Sequence, residues 1–332
     1  DPSLDFDLMR IINPIDHPII GGASLAFTIP LSGALKKETE AADAYKEADK
    51  FRILSAERAL AVDASKCAIL LSALHEKRRI LEKYDGDARI EKARATVEKL
   101  CSAGEVSPGE WASVNRATHA KRHMLMDVTR EISEAEKRFL HLTGLMPGAK
   151  IAISFTPKLV SREKIKPVEA SSLVHHVDVA VALAETRGSE KALAAEICKQ
   201  YPDLKLGPAY ANEEGLGRLG LVAGVTLPLW NRNRKGIAKA VAKRDETRLN
   251  AIDIWRALVC DAAAAYSALE RLLGHPQVPR SERGEVDELA AFGELSMLDY
   301  LVFREEILEQ QLAEADWRRD VALQAAELER FK

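Results

Sequence analysis

The sequence predicts a mainly α-helical protein with a small β part, in which one structural unit is present twice. Three observations support this prediction: an internal repeat, two pairs of short alternating segments, and long charged stretches with apolar residues at helical spacing. Extended segments open the first repeat in residues 1–31 and the second repeat in residues 201–229, and each block contains a Pro-Leu dipeptide near its end. A long helical pattern follows both blocks.

A second match between the repeats lies farther along each helical pattern. Residues 104–111 read Gly-Glu-Val-Ser-Pro-Gly-Glu-Trp, and residues 293–300 read Gly-Glu-Leu-Ser-Met-Leu-Asp-Tyr. Both are a Gly-Glu-apolar-Ser turn followed by an acidic residue, an aromatic residue and a new helical pattern. Because a glycine turn between antiparallel helices closes a hairpin, we expect hairpin tips near residues 101–109 and 292–298.

These patterns divide the chain into six segments. The predicted order is a first β-hairpin at 1–31, a long helix hairpin at 32–146, an irregular linker at 147–166, a helix at 167–200, a second β-hairpin at 201–229 and a second helix hairpin at 230–332. The arm that leads into the first tip is interrupted only at residues 84–87. The second arm is shorter: Pro30 to Gly104 is 74 positions and Pro228 to Gly293 is 65. Paired arms should match in length, so the geometry of the second tip stays open.

The four extended segments alternate apolar with small or polar residues, as strands between two environments do. In the last segment, Leu219, Leu221 and Val225 alternate with Gly220 and Gly224. The segment lengths are close to the roughly ten residues of a transmembrane strand, although a hairpin on a soluble core explains the pattern as well. Open strand edges are not tolerated in lipid, so a barrel requires several copies. Two copies would supply eight strands and three would supply twelve, and a wide conduit favours three.

Composition and charge argue against several classes of protein. The formal net charge of -3 gives no basic excess that would indicate nucleic-acid binding. No apolar run approaches the roughly 18 residues of a membrane-spanning helix. The sequence shows no nucleophile-base pair, phosphate loop or paired catalytic carboxylates, so we expect neither an enzyme nor a cofactor. His119 and His123 stand four positions apart without a third ligand nearby, so we expect no metal site.

Charged and aromatic residues near the predicted strands and tips are candidate functional residues. Trp230 fits an interfacial aromatic anchor, and Arg232 and Arg234 fit a charged collar where the barrel meets the helices. The alternatives are a helix-packing tryptophan and a solvated helix start. Glu110 and Asp299 are candidates for an acidic ring that selects cations. Alternatively, they begin helices, where negative charge complements the helix dipole.

Together these residues resemble the TolC-type outer-membrane efflux proteins. The most specific stretches are residues 200–210, Gln-Tyr-Pro-Asp-Leu-Lys-Leu-Gly-Pro-Ala-Tyr, and residues 227–234, Leu-Pro-Leu-Trp-Asn-Arg-Asn-Arg. The closing run from residue 293 to residue 330 is also typical of the family. The resemblance spans essentially the whole chain and is greatest to the branch that serves heavy-metal and other cation efflux pumps.

The resemblance implies both a fold and a function. It implies a homotrimer whose strands form a twelve-stranded transmembrane β-barrel in the outer membrane of a Gram-negative bacterium. Its long antiparallel coiled-coil helix hairpins form an α-barrel tunnel through the periplasm. The hairpin tips dock on a periplasmic adaptor that links the channel to an inner-membrane pump. The chain would then be a passive exit duct for metal cations or small toxic compounds.

The resemblance also assigns residues to the tips. The adaptor-contacting candidates are Gly104, Glu105 and Val106 in the first tip and Gly293, Glu294 and Leu295 in the second. Glu110 and Asp299 match the family's acidic tip positions. Family members begin with a helix before the first hairpin, which predicts that this sequence is a fragment or a processed product. Two alternatives to a channel are a soluble coiled-coil scaffold and a truncated, non-conducting relative.

Overall fold

The computed structural model describes most of the chain. The described residues are 2–10, 19–29, 32–146, 148–149, 165–213, 216–226, 232–274, 283–292 and 295–331. The strands are β1 (Pro2–Arg10), β2 (Ile19–Ile29), β3 (Asp203–Glu213) and β4 (Leu216–Thr226). The helices are α1 (Ala34–Asp85), α2 (Ala88–Ser102), α3 (Pro108–Thr143), α4 (Val177–Cys198), α5 (Arg234–Gly274), α6 (Arg283–Ala291) and α7 (Met297–Glu329). The prediction of a mainly helical chain with a small sheet is confirmed. None of the described helices is both long and apolar enough to cross a membrane.

The described strands form one antiparallel sheet in the order β1-β2-β3-β4, so the first repeat meets the second between β2 and β3. The β2–β3 ladder omits the pairs of Leu25 and Ala26. Pro208 lies opposite this gap and has no N–H to donate. Its neighbour Gly207 approaches β2 so closely that a Cβ there would lie 1.8 Å from the carbonyl oxygen of Leu25. Only a residue without a side chain permits this approach.

The arm that leads into the first tip consists of two helices. α1 ends at Asp85, Gly86 follows, and Asp87 is the N-cap of α2. The Asp87 side chain accepts a hydrogen bond from the Arg89 N–H at 3.1 Å, which satisfies one of the unpaired donors at the start of α2. The interruption expected at residues 84–87 is therefore a break between two separate helices.

The arm that leads into the second tip contains two described helices. α5 ends at Gly274 and α6 begins at Arg283. The proline-containing segment at 275–282 lies outside the described residues. The described part of α6 has nine residues, and α2 has 15.

The predicted helix at 167–200 is shorter in the structure. A 3-10 turn occupies residues 172–175, and α4 begins only at Val177. The cause is local: His176 has an extended backbone and accepts a hydrogen bond from the Asp178 N–H through its side chain, so it acts as the N-cap. Residues 150–164 of the predicted linker lie outside the described residues.

The chain divides into two compact units, and the first contains the sheet. This unit comprises residues 1–55 and 174–257. In its described part, α4 contacts both α1 and α5 through small side chains. Gly188 of α4 lies so close to α1 that a Cβ would be 2.8 Å from the ring of Tyr45. Ser189 of α4 and Thr247 of α5 share a buried hydrogen bond of 2.8 Å.

The second unit is a helical bundle that contains both tips. It comprises residues 56–173 and 258–332. One apolar cluster joins α1, α3 and α7 through residues such as Leu71, Ile132 and Leu308. Another joins α2 and α7 through Val97 and Leu301. α7 contributes to both clusters and is the central helix of the unit.

Candidate functional site

The first tip is a glycine-terminated helix end. Gly104 has a φ of 81° and donates its N–H to the Cys101 carbonyl at 3.1 Å, while the Glu105 N–H donates to the Leu100 carbonyl at 2.9 Å. This pair of bonds satisfies carbonyls at the end of α2 and reverses the chain. Glu105 is exposed and Val106 is half-buried. The turn lies where the sequence predicts the first tip.

Both predicted acidic tip residues cap the helix that follows their turn. The Ser107 hydroxyl accepts a hydrogen bond from the Glu110 N–H at 3.4 Å, and a Glu110 carboxylate oxygen accepts one from the Ser107 N–H at 3.2 Å. The Ser296 hydroxyl accepts from the Asp299 N–H at 3.1 Å and donates to the Asp299 carboxylate at 2.6 Å. These contacts show the helix-start role of both carboxylates. An acidic ring at these positions stays a prediction.

The structure brings the two tips into one apolar cluster of the second unit. Val106 of the first tip and Leu295 of the second both pack against the apolar cluster that contains Val97 and Leu301. The other two predicted residues of the second tip, Gly293 and Glu294, lie outside the described residues. The predicted tips are therefore neighbours, although about 190 positions separate them in the sequence.

A buried polar network lies beside this cluster and was missed by the sequence analysis. Arg304 of α7 is 2% exposed, and its guanidinium donates to Asp87 Oδ2 at 2.5 Å and to Asp287 Oδ1 at 3.3 Å. The Tyr300 hydroxyl donates to the same Asp287 oxygen at 3.1 Å, and Arg89 donates to the other oxygen at 2.8 Å. One signal was present: Arg304 stands four residues after Tyr300, on the apolar face of a helix with three- and four-residue spacing.

Burial raises the pKa of two tyrosines near this network. Burial raises the pKa of Tyr300 to about 12, and its hydrogen bond to Asp287 adds to this effect while Arg304 opposes it. Burial also raises the pKa of Tyr84 to about 12, and Glu305 nearby raises it further. Both hydroxyls therefore stay protonated to higher pH than an ordinary tyrosine, and Tyr300 is a donor to Asp287.

The predicted collar residues lie at the start of α5. Arg232 is exposed and has a φ of 35°, and Arg234 is the exposed first residue of the helix. Trp230 lies outside the described residues. Asn233, which the sequence analysis did not single out, joins α5 to α4 because its amide donates to the Glu196 carbonyl at 2.9 Å and to the Glu196 carboxylate at 2.6 Å.

The two faces of the sheet differ in their chemistry. The strand register places Phe27, Leu206 and Ala223 in one row of an apolar face. On the same face of β4, Leu219 and Leu221 are 86% and 87% exposed. The opposite face carries small or polar residues, which include Ser24, Thr28, Lys205, Gly207, Gly220 and Gly224. An exposed apolar face of this kind marks a surface that meets an apolar surrounding or a partner.

The described residues offer no metal centre. Among them, no three His, Cys, Asp or Glu side chains gather in a group that could hold a metal ion. His119 and His123 are both exposed on α3. The expectations that the chain has no cofactor and no enzymatic activity stay predictions.

Comparison with known proteins adds evidence on the fold. No protein-family model matches the sequence, and no curated protein does. Among solved structures, a membrane protein from Pseudomonas aeruginosa matches with a TM-score of 0.82 at 17% identity, over 100% of this chain and 80% of that chain. The Campylobacter jejuni CmeC outer membrane channel matches with a TM-score of 0.77 at 15% identity, over 100% of this chain and 76% of that chain. The open state of the Neisseria gonorrhoeae MtrE outer membrane channel matches with a TM-score of 0.73 at 15% identity, over 100% of this chain and 80% of that chain.

This chain has the fold of these channels. The likeness confirms a mainly helical chain with a small sheet, as in TolC-type proteins, whereas the twelve-stranded barrel and the helical tunnel stay predictions. At this level of identity it extends to the fold alone, because one fold hosts many functions. The heavy-metal branch, the trimer and the adaptor contacts stay predictions.

Proposed function

We propose that the chain is the subunit of an outer-membrane channel, the passive exit duct of a tripartite efflux pump. The observation that carries this proposal is the two-faced sheet, which is apolar and exposed on one side and small or polar on the other. Such a sheet fits lipid outside and a water-filled lumen inside. The likeness in fold to outer membrane channels supports the same role. An enzymatic activity and a nucleic-acid partner form no part of the proposal.

The proposed assembly is a homotrimer in the outer membrane of a Gram-negative bacterium. Among the described strands, β1 and β4 are the edges of the sheet. Lipid does not tolerate open edges, so β4 of one copy pairs with β1 of the next until the ring closes. Three copies give a twelve-stranded barrel, with the helix hairpins forming a tunnel through the periplasm.

The hairpin tips are the proposed docking surface for a periplasmic adaptor, which links the channel to an inner-membrane pump. Gly104 holds the exposed Glu105 at the end of the first turn. Val106 and Leu295 share one apolar cluster, which keeps the two tips side by side. Gly293 and Glu294 would complete this surface in the second tip.

Metal cations and small toxic compounds are the proposed cargo. The resemblance of the sequence to the cation-efflux branch supports this choice. Glu110 and Asp299 are exposed even though they cap helices, so their carboxylates remain accessible to solvent. In a trimer each position would form a ring of three carboxylates, which would attract cations to the periplasmic end of the duct.

One pair of substitutions tests the membrane part of the proposal. Leu221 lies on the apolar face of β4 and its neighbour Val222 lies on the opposite face. Leu221→Arg places a charge in lipid, which costs about 2–4 kcal/mol near the bilayer midplane, whereas Val222→Arg faces the lumen. We expect Leu221→Arg to lower the amount of protein in the outer-membrane fraction severalfold and Val222→Arg to leave it unchanged. Equal amounts of both variants would mean that this face does not meet lipid.

Gene deletion tests the transport part of the proposal. A deletion strain should become more sensitive to metal salts or small toxic compounds, and the wild-type gene should restore resistance. Complementation with Leu221→Arg should fail, while Val222→Arg should succeed. Unchanged sensitivity to every compound in a broad panel would contradict an efflux role.

A soluble coiled-coil scaffold is the second candidate. The second unit favours it, because its helices pack on apolar cores within the chain itself. Cell fractionation separates the two candidates: a scaffold is recovered in the soluble fraction, whereas a channel requires detergent and migrates as a trimer. A truncated, non-conducting relative would also require detergent, and it would show no conductance in planar bilayers.

A further inference from the structure

Each tip follows a short described helix, and α2 is separated from the long α1 before it. α2 has 15 residues and α6 has nine. Isolated helices of fewer than about 12 to 15 residues are marginal in water, so most of their stability must come from tertiary contacts. Whatever attaches these two helices to the bundle therefore determines how firmly the tips are held.

Besides their apolar contacts, both short helices bind one side chain of α7. The Arg304 guanidinium donates to Asp87 Oδ2 at 2.5 Å, and Asp87 is the N-cap of α2. The same guanidinium donates to Asp287 Oδ1 at 3.3 Å, and Asp287 lies in α6. Tyr300, one turn earlier on α7, also donates a hydrogen bond to Asp287. The centroid of its ring lies 5.9 Å from the guanidinium carbon of Arg304. The planar fork of arginine suits such a bridge, whereas lysine provides one point charge.

The burial of this arginine indicates a role in geometry. The Arg304 side chain is only 1% exposed, and its Nε has no hydrogen-bond partner among the described residues. An apolar side chain of similar size would cost less to bury, since a buried ion pair often fails to repay its desolvation. In several known proteins, a buried charged or polar group is kept because it selects one packing arrangement of the helices around it.

The matched residue of the first repeat makes no such bridge. In the alignment of the two turns, Arg304 corresponds to Asn115 of α3. Asn115 is half-buried, and its amide oxygen accepts a hydrogen bond of 3.4 Å from Arg94 of α2, which belongs to the same hairpin. A bridge from one buried arginine to both short helices is thus found in the second repeat, beside the direct contact of Arg89 with Asp287.

We infer that Arg304 is the positioning residue of both tips: it fastens α2 and α6 to α7, so that the two tips are held or released together. If the tips dock an adaptor, this coupling makes the docking surface one cooperative unit. That use rests on the proposed function, whereas the coupling itself is a property of the isolated protein.

Hydrogen exchange measured by mass spectrometry on the purified full chain tests the coupling. Arg304→Met should raise the exchange rate in both α2 and α6 by at least about tenfold and leave α4 of the first unit unchanged. Asp287→Asn, which alters a residue of α6, should raise exchange in α2 by more than Arg89→Met, which removes only the direct contact between α2 and Asp287. Asp87→Asn retains a good N-cap and should raise exchange in α6. A rise confined to the altered helix would overturn the inference.

Two further variants make the test specific. Arg318→Met is the matched control, because Arg318 is also on α7 and also contacts two carboxylates, Glu76 at 3.4 Å and Glu314 at 2.5 Å, but is about one-third exposed. It should leave exchange in α2 and α6 at the wild-type rate. Arg304→Lys should restore protection to one of the two short helices and not to both. An equal effect of Arg318→Met, or full rescue by lysine, would overturn the inference.

The design remains informative if a variant fails to fold or if the channel proposal fails. The two asparagine variants keep the buried arginine with one partner, so they test the coupling even if Arg304→Met does not fold. Coupled exchange together with unchanged metal and drug sensitivity of the deletion strain would refute the channel and leave the inference standing. Uncoupled exchange together with increased sensitivity of the deletion strain would refute the inference and leave the channel proposal standing.

Discussion

The helices that leave the two tips, α3 and α7, begin alike and differ in how they are packed. Both follow a Gly-Glu-apolar-Ser turn and start from a serine cap with an acidic residue three positions later. α7 buries ten of its residues, whereas α3 buries only Val128, Ile132 and Ala135. The difference shows that the repeat sets the local start of each helix and that tertiary packing then uses the two copies differently. α7 is the central helix of its unit, and α3 keeps open faces.

The open faces of α3 have a meaning under the proposed assembly. Met124 and Met126 of this helix are 40% and 62% exposed. Exposed apolar side chains on a helix indicate a surface that a partner can cover. In a trimer that partner is a neighbouring copy, so α3 would gain burial from assembly, as would the exposed Val302 and Phe303 of α7.

The largest expected effect is a difference in stability between truncation of a buried residue of α7 and truncation of an exposed residue of α3. Leu308 of α7 is 2% exposed in the core that joins α1, α3 and α7. Leu308→Ala should lower the free energy of unfolding by about 2–5 kcal/mol because it removes apolar contacts and leaves a cavity. Met126→Ala should change it by less than about 0.5 kcal/mol in the dissociated chain. Urea unfolding in detergent measures both, and equal losses would contradict the difference between the helices.

A smaller and symmetrical effect is expected at the two serine caps. Ser107→Ala and Ser296→Ala each remove a side chain that accepts a hydrogen bond from the third N–H of its helix. Each should cost about 1 kcal/mol of unfolding free energy, whereas aspartate at the same position retains the cap. The same urea titration measures this. Costs that differ by more than about 1 kcal/mol would show that tertiary packing reaches even the helix starts.

The smallest expected effect is a change in stability at alkaline pH, and it distinguishes the matched aromatic residues Trp111 and Tyr300. The pKa of Tyr300 is about 12 in the folded chain, above its usual value of 10, so the unfolded chain loses the proton first as pH rises. The stability that the protonated hydroxyl contributes is complete below about pH 10 and declines as pH rises to about 12. Tyr300→Phe should therefore lose less stability than the wild type between pH 9 and pH 11.

Two comparisons complete this alkaline test. Tyr84 titrates in the wild type and in Tyr300→Phe, and because its pKa is raised mainly by burial and only to a small extent by Tyr300, most of its contribution cancels between them. Trp111 has no titratable group, so Trp111→Phe should follow the wild-type pH dependence. Identical unfolding midpoints for Tyr300→Phe and the wild type at both pH values would contradict the assignment of this shift to Tyr300.

Features that depend on neighbours in the sequence were predictable. The two turns were found because glycine followed by serine and an acidic residue specifies a helix end and a helix start, and Gly104, Ser107 and Ser296 serve in these ways. The alternation of β4 was predictable because a strand with two environments must repeat every second residue. The break before α2 was visible as the cluster at residues 84–87.

Features that depend on distant residues were not predictable from one sequence. The main partners of Arg304 are not its neighbours on α7, and Asp87 is 217 positions away. The sequence places Arg304 on an apolar helix face but cannot show which carboxylates meet it there. The late start of α4 has a local reason. Histidine is not among the residues that usually cap a helix, so the sequence pattern predicts a helix from residue 167, ten residues before α4 begins.

The strand order has a genetic consequence for the proposed ring. Because the described strands run β1-β2-β3-β4, each copy presents two different edges, and every contact in a ring joins β4 of one copy to β1 of the next. A copy whose β4 edge is damaged can still capture the β4 edge of a normal copy through its own β1. If it is expressed beside the wild type in equal amount, roughly one ring in eight contains only normal copies. Such an allele would therefore be dominant-negative.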